Sequence, residues 1–122
     1  MSIKDLEQER ARFALEKVKS VYEEHYARAY TNLVKSFPAL IMSNGLMQAM
    51  YFLAKESIEH KEYEALHEHV EEWLARQGLD DWSKSDEPSK YRLATEETMK
   101  VLKWLRQLAD AYKSQESKHE GK

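Results

Sequence analysis

Apolar residues recur at helical spacing along most of the chain. Between residues 11 and 37 they fall at steps of three and four, as do the residues on one face of an α-helix. The same spacing returns between residues 63 and 74 and between residues 91 and 112. Only 3 glycines and 2 prolines interrupt the 122 residues. The pattern predicts an all-α, single-domain helical bundle with long first and last helices around a short apolar hairpin. It leaves open whether residues 11–37 form one helix or two with a bend.

The apolar hairpin is predicted from residues 36–54, which carry no charge although 34% of the chain is charged. Their number is in the range of a membrane span, but Pro38, Asn44 and Gly45 divide the segment into pieces too short to cross a bilayer. Pro38 is predicted to end the first helical region. Asn44-Gly45, both tolerant of positive φ, should turn the chain into a helix over residues 46–54. Because that helix is apolar on almost every side, we expect neighbours all around it.

Length and composition indicate one hydrophobic core. We expect a bundle domain over residues 1–113, with a loop at residues 78–90, and a polar, disordered tail over residues 114–122. The chain has no cysteine, which excludes disulfides and thiolate chemistry and is typical of a reducing compartment. No apolar run at the amino terminus resembles a signal peptide. These features predict a cytoplasmic protein.

Charge limits the ways in which the chain could bind nucleic acid. The formal net charge is -3, so binding must rest on a local patch of basic residues. If the first helical region is a single helix, one side of it carries Arg10, Lys17, Arg28 and Lys35. One side of the last helix carries Lys100, Lys103 and Arg106, beside the aromatic ring of Trp104. Solvated surface charge is the more frequent meaning of such spacing, and a stripe that follows a phosphate backbone is the functional alternative.

Three large apolar residues lie away from the main helical stripes. Leu6 and Phe13 are seven residues apart and off the stripe of their helix, and Trp82 falls in the predicted loop. Each is either covered by another part of its own chain or exposed as an anchor for a partner protein.

Titratable residues give little support for catalysis or for a metal site. Glu64 and His67 share a helical face, which is half of the motif that di-iron bundles use, but the apolar hairpin offers no carboxylate to complete it. The other Glu-x-x-His, Glu116 to His119, falls in the predicted tail. No glycine-rich loop could hold phosphates, and no serine stands in a strand-turn-helix elbow. The sequence predicts a non-enzymatic protein with no metal and no cofactor.

The uncharged segment and its flanks carry a resemblance to a known family. The stretch AYTNLVKSFPALIMSNGLMQAMYFLA, residues 29–54, contains Tyr30, a Pro-x-Leu-Ile run and Asn-Gly-Leu. It resembles the small subunit of the type III-B CRISPR effector, the fifth component of the Cmr module. The similarity extends over roughly residues 8–113, and Phe37 stands where leucine is frequent in the family. Further matching positions are Trp73, Leu74, Tyr91, Thr95, Thr98, Leu102, Trp104, Leu105 and Ala109.

The resemblance implies a non-catalytic helical subunit that stacks in the minor filament of an RNA-guided effector complex. Its implied partners are the RAMP-type backbone subunit, the large subunit, copies of itself, and the guide RNA and target RNA, with no membrane. In such a complex base pairing reads the sequence, so the basic helix faces would need only to contact the RNA backbone. Two alternatives stay open, a free-standing helical protein-protein interaction module and the small subunit of the related type III-A complex.

Overall fold

The computed structural model describes the backbone of residues 3–120 and the side chains of residues 5–112. Regular structure in this part consists of four helices: α1 (Ile3–Tyr22), α2 (Ala27–Glu56), α3 (Lys61–Arg76) and α4 (Pro88–Glu120). The predicted all-α fold class is confirmed, and the first and last helices have 20 and 33 residues. The predicted tail overlaps the last turns of α4, and residues 121 and 122 lie outside the described part. Its disorder therefore stays a prediction.

The hydrophobic core lies where α2, α3 and α4 meet, and α1 closes it from the side of α4. α1 packs chiefly against α4 and touches α2 much less, whereas α2 packs against both α3 and α4. In α3 and α4 the positions that repeat at three and four residues supply the buried surface, as the sequence pattern predicts. In α1 the buried face is offset from the predicted stripe, because Phe13, Ala14 and Val21 are buried whereas Ala11 and Leu15 are only partly so. Representative fully buried side chains are Tyr30, Val34, Phe37, Leu46, Leu53, Leu66, Leu74, Leu102 and Leu105. Within the described residues, no helix is both long and apolar enough to cross a membrane.

A short turn separates α1 from α2, so residues 11–37 are two helices. The amide of Glu24 donates to the carbonyl of Val21 at 2.9 Å, and the amide of Ala27 donates to the carbonyl of Glu24 at 3.1 Å. These bonds close the turn and start the new helix at Ala27. The angular relation that would place Arg10 and Lys17 on one side with Arg28 and Lys35 is therefore lost.

Pro38 does not end a helix, and this expectation was wrong. α2 continues through Pro38, and its one residue with non-helical dihedral angles is Gly45, at φ 85° and ψ 161°. The buried side chains of Phe37 and Ile41 flank the proline in the core. Their packing outweighs the backbone hydrogen bond that the proline ring removes. The predicted turn at Asn44-Gly45 is present as a kink at Gly45, where the positive φ favours glycine.

The second half of α2 is less enclosed than its composition suggests. Leu46 and Leu53 are fully buried, whereas Tyr51 is 72% exposed. Met42 and Met47 are exposed as well. The expectation of neighbours on all sides was therefore wrong: this half-helix covers the core with one face and presents an uncharged face to solvent.

Gly45→Val is expected to lower the free energy of unfolding by about 1 to 3 kcal/mol, because the backbone region at Gly45 is almost closed to residues with a Cβ. A Cβ there would also lie 3.1 Å from the hydroxyl of Tyr91. That hydroxyl accepts a hydrogen bond from the amide of Met47 at 3.1 Å, so the substitution strains the link from α2 to α4.

Urea unfolding followed by circular dichroism measures this effect. Gly78→Val is the matched control, since Gly78 also has a positive φ but would bring its Cβ within 4 Å of nothing. The control should lose less stability than Gly45→Val. An unchanged midpoint for Gly45→Val would contradict the kink described here.

Candidate nucleic-acid interface

The outer side of α4 carries a concentration of positive charge. Lys100, Lys103 and Arg106 are all exposed, as is Arg92 two turns earlier. Helical spacing places the four within about 120° around the axis and spreads them over about 21 Å of its length. Glu96 is the one carboxylate on this exposed side between residues 92 and 106. We call the surface formed by Arg92, Lys100, Lys103 and Arg106 the basic face.

The charged groups of the basic face form no ion pairs within the described chain. Among residues 5–112, none of the four forms an ion pair within 4.0 Å. Trp104, predicted as a stacking partner, is half-buried, and its indole N–H donates to Glu7 at 3.3 Å. The charged groups are thus free to meet an external anion, while the aromatic ring is tied to α1.

Lys35 and Arg28 lie on α2, at different distances from the basic face. The ammonium of Lys35 is 2.8 Å from the carboxylate of Asp110, one turn beyond Arg106 on α4. Lys35 therefore borders the basic face, with its charge partly balanced by Asp110. Arg28 is exposed near the start of α2.

Arg10 and Lys17 are not part of a surface stripe, and the structure corrects the geometry predicted for them. Arg10 is only 2% exposed. The ammonium of Lys17 lies 2.8 Å from the carboxylate of Glu72 on α3, and its side chain is 14% exposed. The reason is that α1 turns this side towards α3 and α4, so each cation is used to join helices.

The guanidinium of Arg10 is the centre of a buried polar network. Its Nε and Nη2 donate to the two oxygens of Glu97 at 3.0 and 2.6 Å, and Nη1 donates to Glu7 at 2.7 Å. The indole N–H of Trp73 donates to Glu97 at 3.1 Å. Burial alone would raise the pKa of Glu97, but the bonds from Arg10 and Trp73 outweigh it and lower that pKa. The network ties α1, α3 and α4 together.

A second buried polar pair joins α2 to α3. The hydroxyl of Tyr30 lies 2.7 Å from Nδ1 of His69. Burial lowers the pKa of His69 to about 4, with a further lowering from Lys17 and an opposing effect from Glu72. Burial raises the pKa of Tyr30, so the phenol keeps its proton and the two neutral side chains share one hydrogen bond. Tyr30 is the tyrosine of the family resemblance, but its partner was not predicted from the sequence.

Two of the three candidate partner anchors are covered by their own chain, and the third is partly covered. Phe13 is 2% exposed and packs on Trp73, with ring centroids 5.1 Å apart. Leu6 is half-buried against the same cluster. Trp82 is also buried, and its ring packs against Tyr91 at 5.9 Å. The intramolecular alternative therefore holds for Phe13 and Trp82, which cannot anchor a partner while the monomer is folded.

Two observations bear on a metal or catalytic site among the described residues. Residues 5–112 contain no group of three or more possible metal ligands, and the side chains of Glu116 and His119 lie outside the described residues. A cleft of about 360 Å³ lies between α2 and the start of α3. The hydroxyl of Ser36, which lines this cleft together with His60, donates its proton to the carbonyl of Leu33 at 3.2 Å.

Comparison with known proteins agrees with the helical fold. The crystal structure of a CRISPR-associated Cmr5 family protein from Thermus thermophilus superposes with a TM-score of 0.75 and 23% sequence identity. The match covers 92% of this chain and 98% of the other. At this level of identity it is the fold that is shared.

The family follows from a sequence model. The model of a CRISPR-associated protein family, Cas_Cmr5, matches residues 6–112, and this places the chain among the CRISPR-associated proteins. The chain belongs to the Cmr5 family, the small subunit of the type III-B Cmr module. The resemblance found in the sequence is confirmed, and the chain is one subunit of a larger effector complex.

Proposed function

We propose that the chain is a non-catalytic subunit that stacks in the minor filament of a type III-B effector and contacts the backbone of the target RNA through the basic face. Its neighbours in the complex are the RAMP-type backbone subunit, the large subunit and further copies of the chain, all assembled with guide RNA in the cytoplasm. The family match supports the type III-B module over the type III-A complex and over a free-standing interaction module.

The observation that carries the RNA contact is the exposed basic face of α4. Four cations and one carboxylate give this side a formal charge of about +3, on a protein whose net charge is -3. Such a local excess attracts phosphates without reading base identity. This suits a subunit of an RNA-guided complex, where the guide supplies sequence recognition by base pairing.

A scaffolding role is supported by the way the polar groups of the core are used. The buried pairs Arg10 with Glu97 and Tyr30 with His69 satisfy each other and hold helices together. In the cleft between α2 and α3, the hydroxyl of Ser36 donates to its own helix backbone. These arrangements stabilise a rigid bundle, which is the requirement for a subunit that stacks beside others.

Reversal of three charges on the basic face tests the RNA contact. Lys100→Glu, Lys103→Glu and Arg106→Glu together should weaken binding of target RNA by the assembled complex at least about tenfold. Because each lost phosphate contact to a single strand lowers the salt slope by about 0.7, the slope of log K against log salt should fall by about 2. Filter binding at several salt concentrations measures both quantities.

A matched control separates the basic face from net charge. Lys19→Glu, Lys61→Glu and Lys84→Glu change the net charge by the same amount at exposed positions on α1, on α3 and in the loop. Both triple variants should fold and join the complex in a pull-down from the native host. Equal RNA affinity and equal salt slope in the two variants would refute the proposed contact.

A further inference from the structure

The cleft between α2 and α3 brings together chemical groups that suit one class of ligand. Its walls carry a carboxylate, an amide, a hydroxyl and two rings. These groups belong to Glu62, Asn32, Ser36, Tyr63 and His60. With a volume of about 360 Å³, the cleft has room for a side chain of another molecule.

The carboxylate of Glu62 has lost most of its contact with water and has gained no hydrogen-bond donor among the described residues. The side chain of Glu62 is 14% exposed, and its nearest charged partner is Nδ1 of His60 at 3.7 Å, which is beyond hydrogen-bond distance. The carboxylate of Glu56 lies 3.9 Å from the other ring nitrogen, so two carboxylates flank one imidazole. A donor that enters the cleft from another molecule would therefore stabilise Glu62.

No cation of the described chain fills the cleft. The ammonium of Lys35 is bound to Asp110 on α4 at 2.8 Å. Arg28 and Lys61 adjoin lining residues in the sequence, but they are exposed and form no ion pair within 4.0 Å among residues 5–112. An incoming phosphate would meet the carboxylate of Glu62 and be repelled, and an apolar group would cover it without supplying a donor. A cation with N–H groups is the class of ligand that fits.

The two rings of the cleft favour a guanidinium over an ammonium. The ring of Tyr63 packs with His60 at a centroid distance of 5.7 Å and with Phe52 at 5.6 Å. A guanidinium can stack on such a ring and donate N–H bonds in its own plane to a carboxylate and an amide oxygen, whereas an ammonium is a compact point charge. The side-chain amide of Asn32 forms no hydrogen bond with another described residue, so its oxygen is available as the second acceptor.

We propose that the cleft between α2 and α3 receives an arginine side chain of a neighbouring protein subunit. The guanidinium pairs with the carboxylate of Glu62, stacks on the ring of Tyr63 and donates to the amide oxygen of Asn32. A protein is the source because the chain is one subunit of a larger effector complex, and because RNA brings phosphates and no cationic group. The inference rests on the family and does not depend on the proposed RNA contact, which lies on α4.

Titration of the full chain with N-acetyl-L-argininamide tests the chemistry of the cleft. NMR follows the ring signals of Tyr63, which are assigned by their loss in Tyr63→Phe. The expected result is a saturable shift in the millimolar range, because one side chain supplies one ion pair and one ring contact. The uncharged isostere N-acetyl-L-citrullinamide should bind at least about tenfold more weakly.

Two matched variants show whether Glu62 is the anion that binds the probe. Glu62→Gln keeps the size of the side chain but removes its charge, and it should weaken binding of the argininamide at least about tenfold. Glu64→Gln is the control and should leave binding unchanged, since Glu64 lies in the same first turn of α3, is exposed and does not line the cleft. Circular dichroism checks that both variants fold. No shift of Tyr63, equal binding of the two probes, or equal binding by the two variants would overturn the proposal.

Photo-cross-linking identifies the occupant of the cleft in the assembled complex. Benzoylphenylalanine is placed at Ala29, which lines the cleft and is exposed, and the complex is purified from the native host before illumination. Mass spectrometry should find the cross-link on a protein subunit, in a peptide that contains an arginine. Replacing that arginine with methionine should lower the yield at least about fivefold. A cross-link to RNA, to a peptide without arginine, or to no other molecule would overturn the proposal.

Discussion

Glu97→Ala is expected to lower the free energy of unfolding by about 3 to 5 kcal/mol, the largest loss that we predict for a single substitution. Arg10 is 2% exposed, and two of its three hydrogen bonds go to Glu97. Removing the carboxylate leaves a buried guanidinium with only Glu7 as its partner, and it also leaves the indole N–H of Trp73 without an acceptor. Chemical unfolding at neutral pH measures the loss.

Two further variants decide whether the loss arises from an uncompensated charge. Glu96→Ala removes a carboxylate from the exposed side of the same turn and should cost less than about 0.5 kcal/mol. In the double variant Arg10→Met with Glu97→Leu, both charges are absent and similar volume is kept, so most of the stability should return. If Glu97→Ala costs less than about 1 kcal/mol, the network is not the tie between α1 and α4 that the contacts indicate.

Acidification below pH 6.5 should destabilise the fold through His69. The pKa of His69 is about 4 in the folded chain, against an ordinary value of 6.5 that applies to the unfolded chain. Between these two pH values the unfolded chain therefore binds a proton that the folded chain does not bind. Stability therefore falls as the pH falls through this window, by up to about 3 kcal/mol for a shift of this size. Below pH 4 both states carry the proton, and this group contributes no further loss.

Unfolding in urea at pH 7.5, 6 and 5 isolates the effect, because most carboxylates begin to titrate lower. His69→Gln cannot take up the proton, so its stability should change less than that of the unmodified chain over the same interval. His60→Gln removes an exposed histidine and serves as the control. An equal pH dependence for the unmodified chain and His69→Gln would show that the buried imidazole does not control acid stability.

Periodicity was sufficient to predict the architecture, because helical packing is encoded by many positions at once. The stripes through Leu66 and Val70 and through Leu102 and Leu105 became the buried faces of α3 and α4. Single residues were less reliable. Gly45 took the expected positive φ, while Pro38 was absorbed into α2 because the side chains around it are held by tertiary contacts that no local rule contains.

The residues of the candidate site show the same difference between what helical spacing predicts and what depends on tertiary contacts. Helical spacing alone put Lys100, Lys103 and Arg106 on one side of α4, and these residues are indeed exposed; their contact with RNA stays a prediction. The burial of Arg10 could not be predicted from spacing, because it depends on the pairing of Arg10 with Glu97, which is 87 positions away in the sequence. Spacing within one helix carries no information on such a partner.

The pairing of the first helix with the last has a consequence for the newly made chain. α1 leaves the ribosome before the other three helices, but its main packing partner is α4, the last of the four. The buried contact between Arg10 and Glu97 spans 87 residues, so the side of α1 that packs on α4 stays uncovered until α4 has emerged. Closure of the bundle thus follows the synthesis of α4, and a nascent chain truncated before α4 lacks the main surface against which α1 packs.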